Sequence, residues 1–409
     1  MNLIITGELK LLEECDFEIV ERKGRGHPDT LSDRLAELLS QTYSEFTLHK
    51  FGAILRHQFD KLSLMGGKCD VRFGGGEFRS PIRLLINGRA TSRFGKETFA
   101  VKELLVRTAA TFLEQELRSF KFTENCILMW EVASNPTRGM IDETNQGSSP
   151  IHYRFQPRSL DDLPEATKPI SDDTAVGCAW APFTPVESMV LEIERSLTSN
   201  EALEKYPWLG TDCKIMAYRS KMEVNLTVSI PMVSSHIRSA EQYVEYCNQT
   251  LSLIRLITDR YGFSEVAITL NPGDNTDNEM LYMRLTGSCI ESGDEGQVSR
   301  GNRIGGIISS RRPFSIEGLS GKNPSYHAGK LYSAAAWEIA KRLWNEQGVP
   351  SEVFIVSQID RPIDDPWAVV INSNGAIDRV EAERVAQEVI VNMRHITKGF
   401  LERKYPLAW

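Results

Sequence analysis

A long helical pattern, a glycine-bearing turn and a short apolar strand follow one another in nearly the same form at two places. One ends in Gly262-Phe-Ser-Glu-Val-Ala-Ile-Thr-Leu270, the other in Gly348-Val-Pro-Ser-Glu-Val-Phe-Ile-Val356, and a weaker copy ends in Cys126-Ile-Leu-Met-Trp130. A unit of this kind buries its apolar helix stripe only by lying on a sheet, so three copies predict an α+β chain of three similar subdomains. So short a pattern also recurs by chance, and its weight comes from the helices around it. Leu31, Leu35, Leu38, Leu39, Tyr43 and Phe46 recur at steps of three and four between Asp29/Thr30 and Gly52, which predicts a helix starting right after Gly-His-Pro-Asp. Similar spacing predicts helices over Lys96–Phe120, Pro185–Ser199, Ser239–Arg260, Gly329–Gln347 and Val380–Glu402. Val224, Leu226, Val228 and Ile230 alternate with polar residues, as a half-buried strand does.

The strand–helix units fall roughly at 1–135, 174–290 and 291–409 of one interleaved unit spanning 1–409. The stretch from Ala133 to Asp173 is rich in Pro, Ser, Asn and Asp without periodicity, and reads as a long loop or lid over 135–173.

Charge and cysteine usage exclude several function classes. Acidic side chains outnumber basic ones by 55 to 47, a net charge of −8, so no global positive field draws the chain to nucleic acid. Any anionic ligand must therefore meet a local basic cluster. No run of 18 uncharged apolar residues occurs and Met1–Glu14 lacks the pattern of a signal peptide, which predicts no membrane partner and a cytoplasmic location. The seven cysteines are widely spaced with no Cys-x-x-Cys pair, and read as reduced thiols in or near cores. No His-Glu-x-x-His spacing occurs either, which argues against a zinc hydrolase.

Three polar, glycine-rich stretches fit neither core nor ordinary turns. Glu21-Arg-Lys-Gly-Arg-Gly-His-Pro-Asp29 delivers His27, Asp29 and three cations to a helix N-terminus, where free N–H groups and the dipole favour phosphate and Asp29 offers hard oxygen to Mg²⁺. Equally, Asp29 and His27 serve there as a cap and a satisfied loop histidine. Gly293-Asp-Glu-Gly-Gln-Val-Ser-Arg-Gly-Asn-Arg-Ile-Gly-Gly306 combines backbone-permissive glycines, phosphate-matching arginines and the carboxylates Asp294 and Glu295; the bland alternative is a solvated hairpin. Ser320-Gly-Lys-Asn-Pro-Ser-Tyr-His-Ala-Gly-Lys330 adds two lysines and a histidine at another helix start, but Ile316 stands where a P-loop has its first glycine. With Phe73-Gly-Gly-Gly-Glu77 and Gly88-Arg-Ala-Thr91, these stretches supply what a polyphosphate held through Mg²⁺ requires.

In this order, with Phe-Gly-x-Ile-Leu-x-His-x-x-Asp-Lys over 51–61, the motifs resemble those of archaeal-type S-adenosylmethionine synthetases (methionine adenosyltransferases), from about residue 17 to 360. The resemblance implies three α+β subdomains about a pseudo-threefold axis and a homodimer with active sites at the subunit interface. It implies that the sulfur of methionine attacks C5′ of ATP and that the displaced triphosphate is then cleaved to phosphate and pyrophosphate. His27 matches the histidine beside the leaving oxygen, and Lys322, Lys330 and Arg300 match triphosphate contacts, with Arg303 a further candidate on the same loop. Glu21 matches a nucleotide-site glutamate, Glu77 one near the methionine amino group, and Asp173 an aspartate that contacts ribose or methionine. Asp29 and Asp294 match Mg²⁺ positions, with two ions per site, and Asp60 an acidic ligand of a monovalent cation such as K⁺.

This chain departs from the family pattern at Ala133-Ser-Asn-Pro-Thr137, at Arg56-His-Gln-Phe-Asp-Lys61 and at Val298-Ser-Arg-Gly-Asn-Arg303. The departures leave open a paralogue that adenosylates a methionine analogue. A Mg²⁺-dependent polyphosphate or nucleotide phosphohydrolase and a silent binding subunit are the alternatives from other classes.

Overall fold

His27 and Pro28 set where the first long helix begins. Proline at the first helical position lacks only an N–H that would have no partner, and the His27 ring accepts the backbone N–H of Asp29. Helix α1 (Pro28–Phe51) then runs to Gly52, whose φ of 76° lets the chain turn out of the helix. The computed structural model describes residues 2–134 and 150–406.

Twelve strands form three four-stranded sheets of one pattern. Sheet I runs β5 (Cys126–Ala133), β4 (Ile82–Ala90), β3 (Ser63–Met65), β10 (Glu295–Gln297). Sheet II runs β9 (Glu265–Leu270), β8 (Glu223–Ser229), β7 (Lys214–Ser220), β2 (Phe17–Lys23). Sheet III runs β1 (Leu3–Thr6), β12 (Ala368–Ser373), β11 (Ser351–Val356), β6 (Val176–Ala181). In each sheet the first pair is parallel and the next two pairs are antiparallel. The two-residue strand His57–Gln58 flanks sheet I, and Ile308–Ser309 extends sheet II.

The helices link these sheets in a closed cycle. Strand β2 of sheet II leads into α1, which packs on sheet I; β10 of sheet I leads through a long loop to α5 (Ala328–Gln347), on sheet III. From sheet III, β6 leads into α3 (Pro185–Thr198), which packs on sheet II. Three separate cores result, with Leu31, Leu35 and Leu84 in the first, Val190, Ile215 and Leu226 in the second, and Ala335, Val353 and Ile371 in the third. This is the expected three-part α+β architecture. Each of the approximate stretches 1–135, 174–290 and 291–409 lends strands to more than one sheet.

Two of the three repeated units are equivalent, and the third is not. Helices α2 (Val101–Glu116) and α4 (Ala240–Thr258) each lead to a parallel edge strand, β5 and β9. By contrast, α5 leads to β11, an interior strand antiparallel to both neighbours. The edge place in sheet III is taken by β1 from the other end of the chain, with Leu3 opposite Val369.

Several expected boundaries shift. The helix predicted over Lys96–Phe120 is shorter because Glu97–Thr98 pairs with Arg93–Phe94 in a small hairpin and Ser119 adopts a positive φ. The one predicted over Val380–Glu402 is two helices, α6 (Arg379–Val391) and α7 (Met393–Leu401), broken at Asn392. Of the expected loop, 135–149 lies outside the described residues. The part from 150 on holds short helices at Pro150–Phe155 and Pro164–Thr167, and Glu165 pairs with the buried Arg56 at 2.9 Å.

Candidate active site

Where sheet I meets the N-terminus of α1, β10 lies so close that a Cβ on Gly296 would run into the carbonyl of Pro28. Glycine there lets the strand N–H of Gln297 reach Asp29 Oδ1 at 3.1 Å. Asp29 is buried, and its other oxygen accepts from Lys23 Nζ at 2.9 Å; that ammonium also donates to the Arg300 carbonyl. Arg300 stands 3.9 Å from Asp29 and pairs with Glu295 at 2.9 Å. One end of the site therefore gathers His27, Asp29, Lys23, Glu295, Gln297 and Arg300.

A cleft of about 1250 Å³, including its open mouth, carries on from there. It is lined by Glu295 and Gln297 at this end and by Asp60, Lys61, Glu317 and Lys322 at the other. Lys322 is buried, ion-paired with Glu317 and 3.7 Å from Asp60 Oδ2, which also holds Lys61 at 2.8 Å. Burial lowers the pKa of Lys322, while Asp60 pulls it the other way.

His27 acts as a neutral donor in this setting. Because its Nδ1 accepts the Asp29 N–H at 3.2 Å, the ring proton sits on Nε2. Burial lowers its pKa to about 4; Asp29 opposes the shift, and Lys23, Lys214 and Arg300 add to it.

Not every expected cation faces the cleft. Of the three in the first motif only Lys23 stays beside Asp29: Arg22 is buried against Glu194 at 2.6 Å, and Arg25 pairs with Glu116, which also takes Arg34. Lys330 is 0% exposed and donates to both oxygens of Glu37, at 2.7 and 2.6 Å, and to the carbonyl of Lys322. It thereby supports the loop that carries Lys322. Arg303 lies behind the loop, in a small chamber with Asp33, Trp180 and Phe314, and donates to the Ser299 carbonyl at 2.9 Å.

Of the remaining expected residues, Asp173 and Asp294 neighbour cleft-lining residues, and Glu21 and Glu77 lie on other strands. Asp294 is exposed beside β10. Glu21 sits on the outward face of β2, paired with Lys214 at 3.2 Å. Glu77 lies on the hairpin Lys68–Ser80, with Arg79 at 3.0 Å. Asp173 belongs to a cluster with Glu317 and His327, whose ligand atoms all lie within 4.8 Å of one another.

Carboxylate oxygens of Asp60, Glu295 and Glu317 lining the cleft, with Asp29 buried behind Gln297 at one end, fit the oxygen preference of Mg²⁺. Three of them, Asp29, Asp60 and Glu317, are balanced by lysine ammonium groups and Glu295 by Arg300. His327 fits a metal less well: its Nδ1 accepts the N–H of Lys330 as a helix cap, which leaves the proton on the Nε2 that faces Glu317.

The sequence reading missed Asp33, Glu37 and Glu317 as parts of this region, and it named Gln297 only within its glycine-rich stretch. A signal for two of them was present: Asp29, Asp33 and Glu37 stand four residues apart on one face of α1, the face turned to the 293–322 loop. Burial raises the pKa of Asp33 to about 7.

Comparison with known proteins shows the family and the fold. Residues 3–404 match the family described as S-adenosylmethionine synthetase (AdoMet synthetase). The chain is 34% identical to the probable S-adenosylmethionine synthase of Aquifex aeolicus, over 100% of both chains. It is 33% identical to the S-adenosylmethionine synthase of Hyperthermus butylicus, over 98% of each. A solved structure described as an unusual S-adenosylmethionine synthetase from Campylobacter jejuni superposes with a TM-score of 0.56 at 12% identity, covering 94% of this chain and 89% of that one, which shows a shared fold. With its three-sheet cycle and nearly its whole length matched, the chain belongs to the S-adenosylmethionine synthetase family, archaeal type.

Proposed function

We propose that the chain is a cytoplasmic methionine adenosyltransferase that converts ATP, L-methionine and water to S-adenosylmethionine, phosphate and pyrophosphate. The observation that carries this reading is His27, a neutral N–H donor fixed by its bond to Asp29 at the end of a cleft lined by Arg300's partner Glu295 and by Lys322. A thioether sulfur has no proton to lose, so attack at C5′ needs no base. What it needs is a donor for O5′ as that oxygen gains charge, and such a donor binds the transition state more strongly than the neutral ester. His27 takes that role. Arg300 and Lys322 meet the triphosphate, with Lys330 and Arg303 behind them. Asp29 and Asp294 would hold the two Mg²⁺ ions and Asp60 a K⁺; bound Mg²⁺ supplies charge neutralisation for the polyphosphate. Glu21 lies toward the nucleotide, and Glu77 and Asp173 toward methionine and ribose.

A homodimer completes the site in this reading. The outward faces of sheets I and II carry apolar side chains that no helix among the described residues covers: Leu85 beside Met129 and the exposed Ile127 on one, Phe17, Met216 and Tyr218 on the other. Glu21 lies on the second face beside Met216, on the strand that leads to His27, so a partner docked there would border the cleft. No helix among the described residues is long and apolar enough to cross a membrane. The seven cysteines are free thiols, which suits a reducing compartment.

The decisive test is incubation with ATP, Mg²⁺, K⁺ and methionine, reading products by mass spectrometry. The sulfonium product should appear with equal amounts of phosphate and pyrophosphate. Formation of ADP or AMP without sulfonium would place attack at phosphorus and defeat the reading.

A further inference from the structure

Between Arg312 and Gly321 the chain forms a strap without helix or strand. Its start is tied down by Arg312, which grips Glu187 with two bonds of 3.0 Å, and its end by the N–H of Gly321 on Glu37 at 3.0 Å. Midway, Gly318 passes so close to Ser299 that a Cβ would strike its hydroxyl. Ile316 is 85% exposed, and Phe314, 54% exposed, keeps one face against Arg303. What draws the strap toward the cleft is Glu317, whose carboxylate is ion-paired with Lys322.

The strap also divides two spaces. Glu317, Gly318 and Ser299 line both the open cleft that holds Lys322 and the chamber that holds Arg303. A polyphosphate entering the cleft meets a lysine whose charge is already answered, at close range by Glu317 and at 3.7 Å by Asp60.

We infer that Glu317 is an internal counter-anion: it holds Lys322 in place of phosphate, and the incoming polyphosphate must displace it, which loosens the strap and opens the way to Arg303. The inference rests on Lys322 being a phosphate contact, as read above. A carboxylate in this position lowers affinity for every anion that uses Lys322, and it keeps the lysine charged and placed while the cleft is empty. While the cleft is empty the same carboxylate also stands beside Asp173, so its displacement would separate two like charges.

The test is calorimetric titration of the full-length protein with inorganic tripolyphosphate and Mg²⁺, alongside steady-state kinetics with ATP. Glu317→Gln keeps the shape and removes the charge, and Asp60 remains to pair with Lys322. Because a half-buried ion pair is lost from the competing state, binding should tighten by roughly tenfold and KM for ATP should fall, with kcat not raised. Glu317→Asp, which keeps the charge on a shorter arm, should tighten binding by less. Unchanged or weaker binding in Glu317→Gln, in a variant with the normal melting temperature, overturns the inference. Lys322→Met separates the two levels. If it weakens binding while Glu317→Gln changes nothing, only the counter-anion role is wrong; if it leaves tripolyphosphate binding intact, the assignment of Lys322 as a phosphate contact is wrong and the inference falls with it.

Discussion

The ring of His27 takes a hydrogen bond from the backbone of Asp29, two residues further on, at 3.2 Å, and this one contact both caps a helix and decides which ring nitrogen carries the proton. A histidine fixed in this way is a donor at Nε2 throughout the neutral range. Replacing it with asparagine keeps a good helix cap, so folding should be little affected. Sulfonium formation should fall by ~10²-fold or more, the scale for losing one donor to a developing oxyanion. Hydrolysis of added tripolyphosphate, which breaks bonds remote from O5′, should fall much less. Since burial holds the His27 pKa at about 4, the wild-type rate should show no step from this residue between pH 6 and 8. A step in that range that disappears in His27→Asn would contradict the neutral-donor role.

Lys330 and Glu37 form a fully buried ion pair that also supports the carbonyl of Lys322. Glu37→Gln or Lys330→Met leaves one charge buried without its partner, at a cost of ~3–5 kcal/mol in denaturant unfolding. The double change Glu37→Leu with Lys330→Met removes both charges and should recover a good part of that loss. A double variant as unstable as the sum of the single ones would mean that the two residues act independently.

Asp212 is fully buried and accepts the N–H of Cys289 at 2.8 Å; burial, with Asp294 adding, raises its pKa to about 7. The folded state thus keeps a proton that the unfolded chain has released by about pH 4. This residue's contribution is largest at acid pH, declines as pH rises from about 4 to 7, and is flat above. About three pH units at 1.36 kcal/mol each set an upper size of ~4 kcal/mol. Melting curves should show Asp212→Asn gaining on the wild type across that window. A constant difference between the two proteins would return the group to an ordinary carboxylate.

Leu85 and Met129 lie side by side on the outward face of sheet I. Met129→Glu puts a charge into the proposed dimer contact without touching a core. Sedimentation should show a shift toward monomer, together with loss of activity if the site is shared between subunits. A wild-type sedimentation profile would move the interface elsewhere.

How far the sequence carried the structure depended on the range of the physics involved. The C-terminal end of α1 was legible because Gly52 acts on its own neighbours, whereas its start was read at Asp29/Thr30 although His27 is the cap and Pro28 the first helical residue; the α+β repeat was legible at β5 and β9 because each follows its helix directly. The break at Asn392 was not, since the apolar spacing runs on through it. The fate of the charged residues was hidden for another reason. Arg22 is sequestered by Glu194, Arg25 by Glu116 and Lys330 by Glu37, partners 91 to 293 positions away, and local chemistry cannot tell a lysine that meets phosphate from one that meets a distant carboxylate. Motif order located the cleft, but which cation faces it was settled by packing.

Strand β1 pairs with β12 across 366 positions, so β1 must wait for a strand made much later before its sheet has an edge. Sheet II needs the chain through residue 270 and sheet I through 297, so both can assemble while synthesis continues. Sheet III closes only when the two ends meet, and until then β12 offers a bare edge to any other strand nearby. The loop that closes there is the longest in the molecule's sheets, which makes docking of Leu3–Thr6 the step where a crowded cell has most time to interfere.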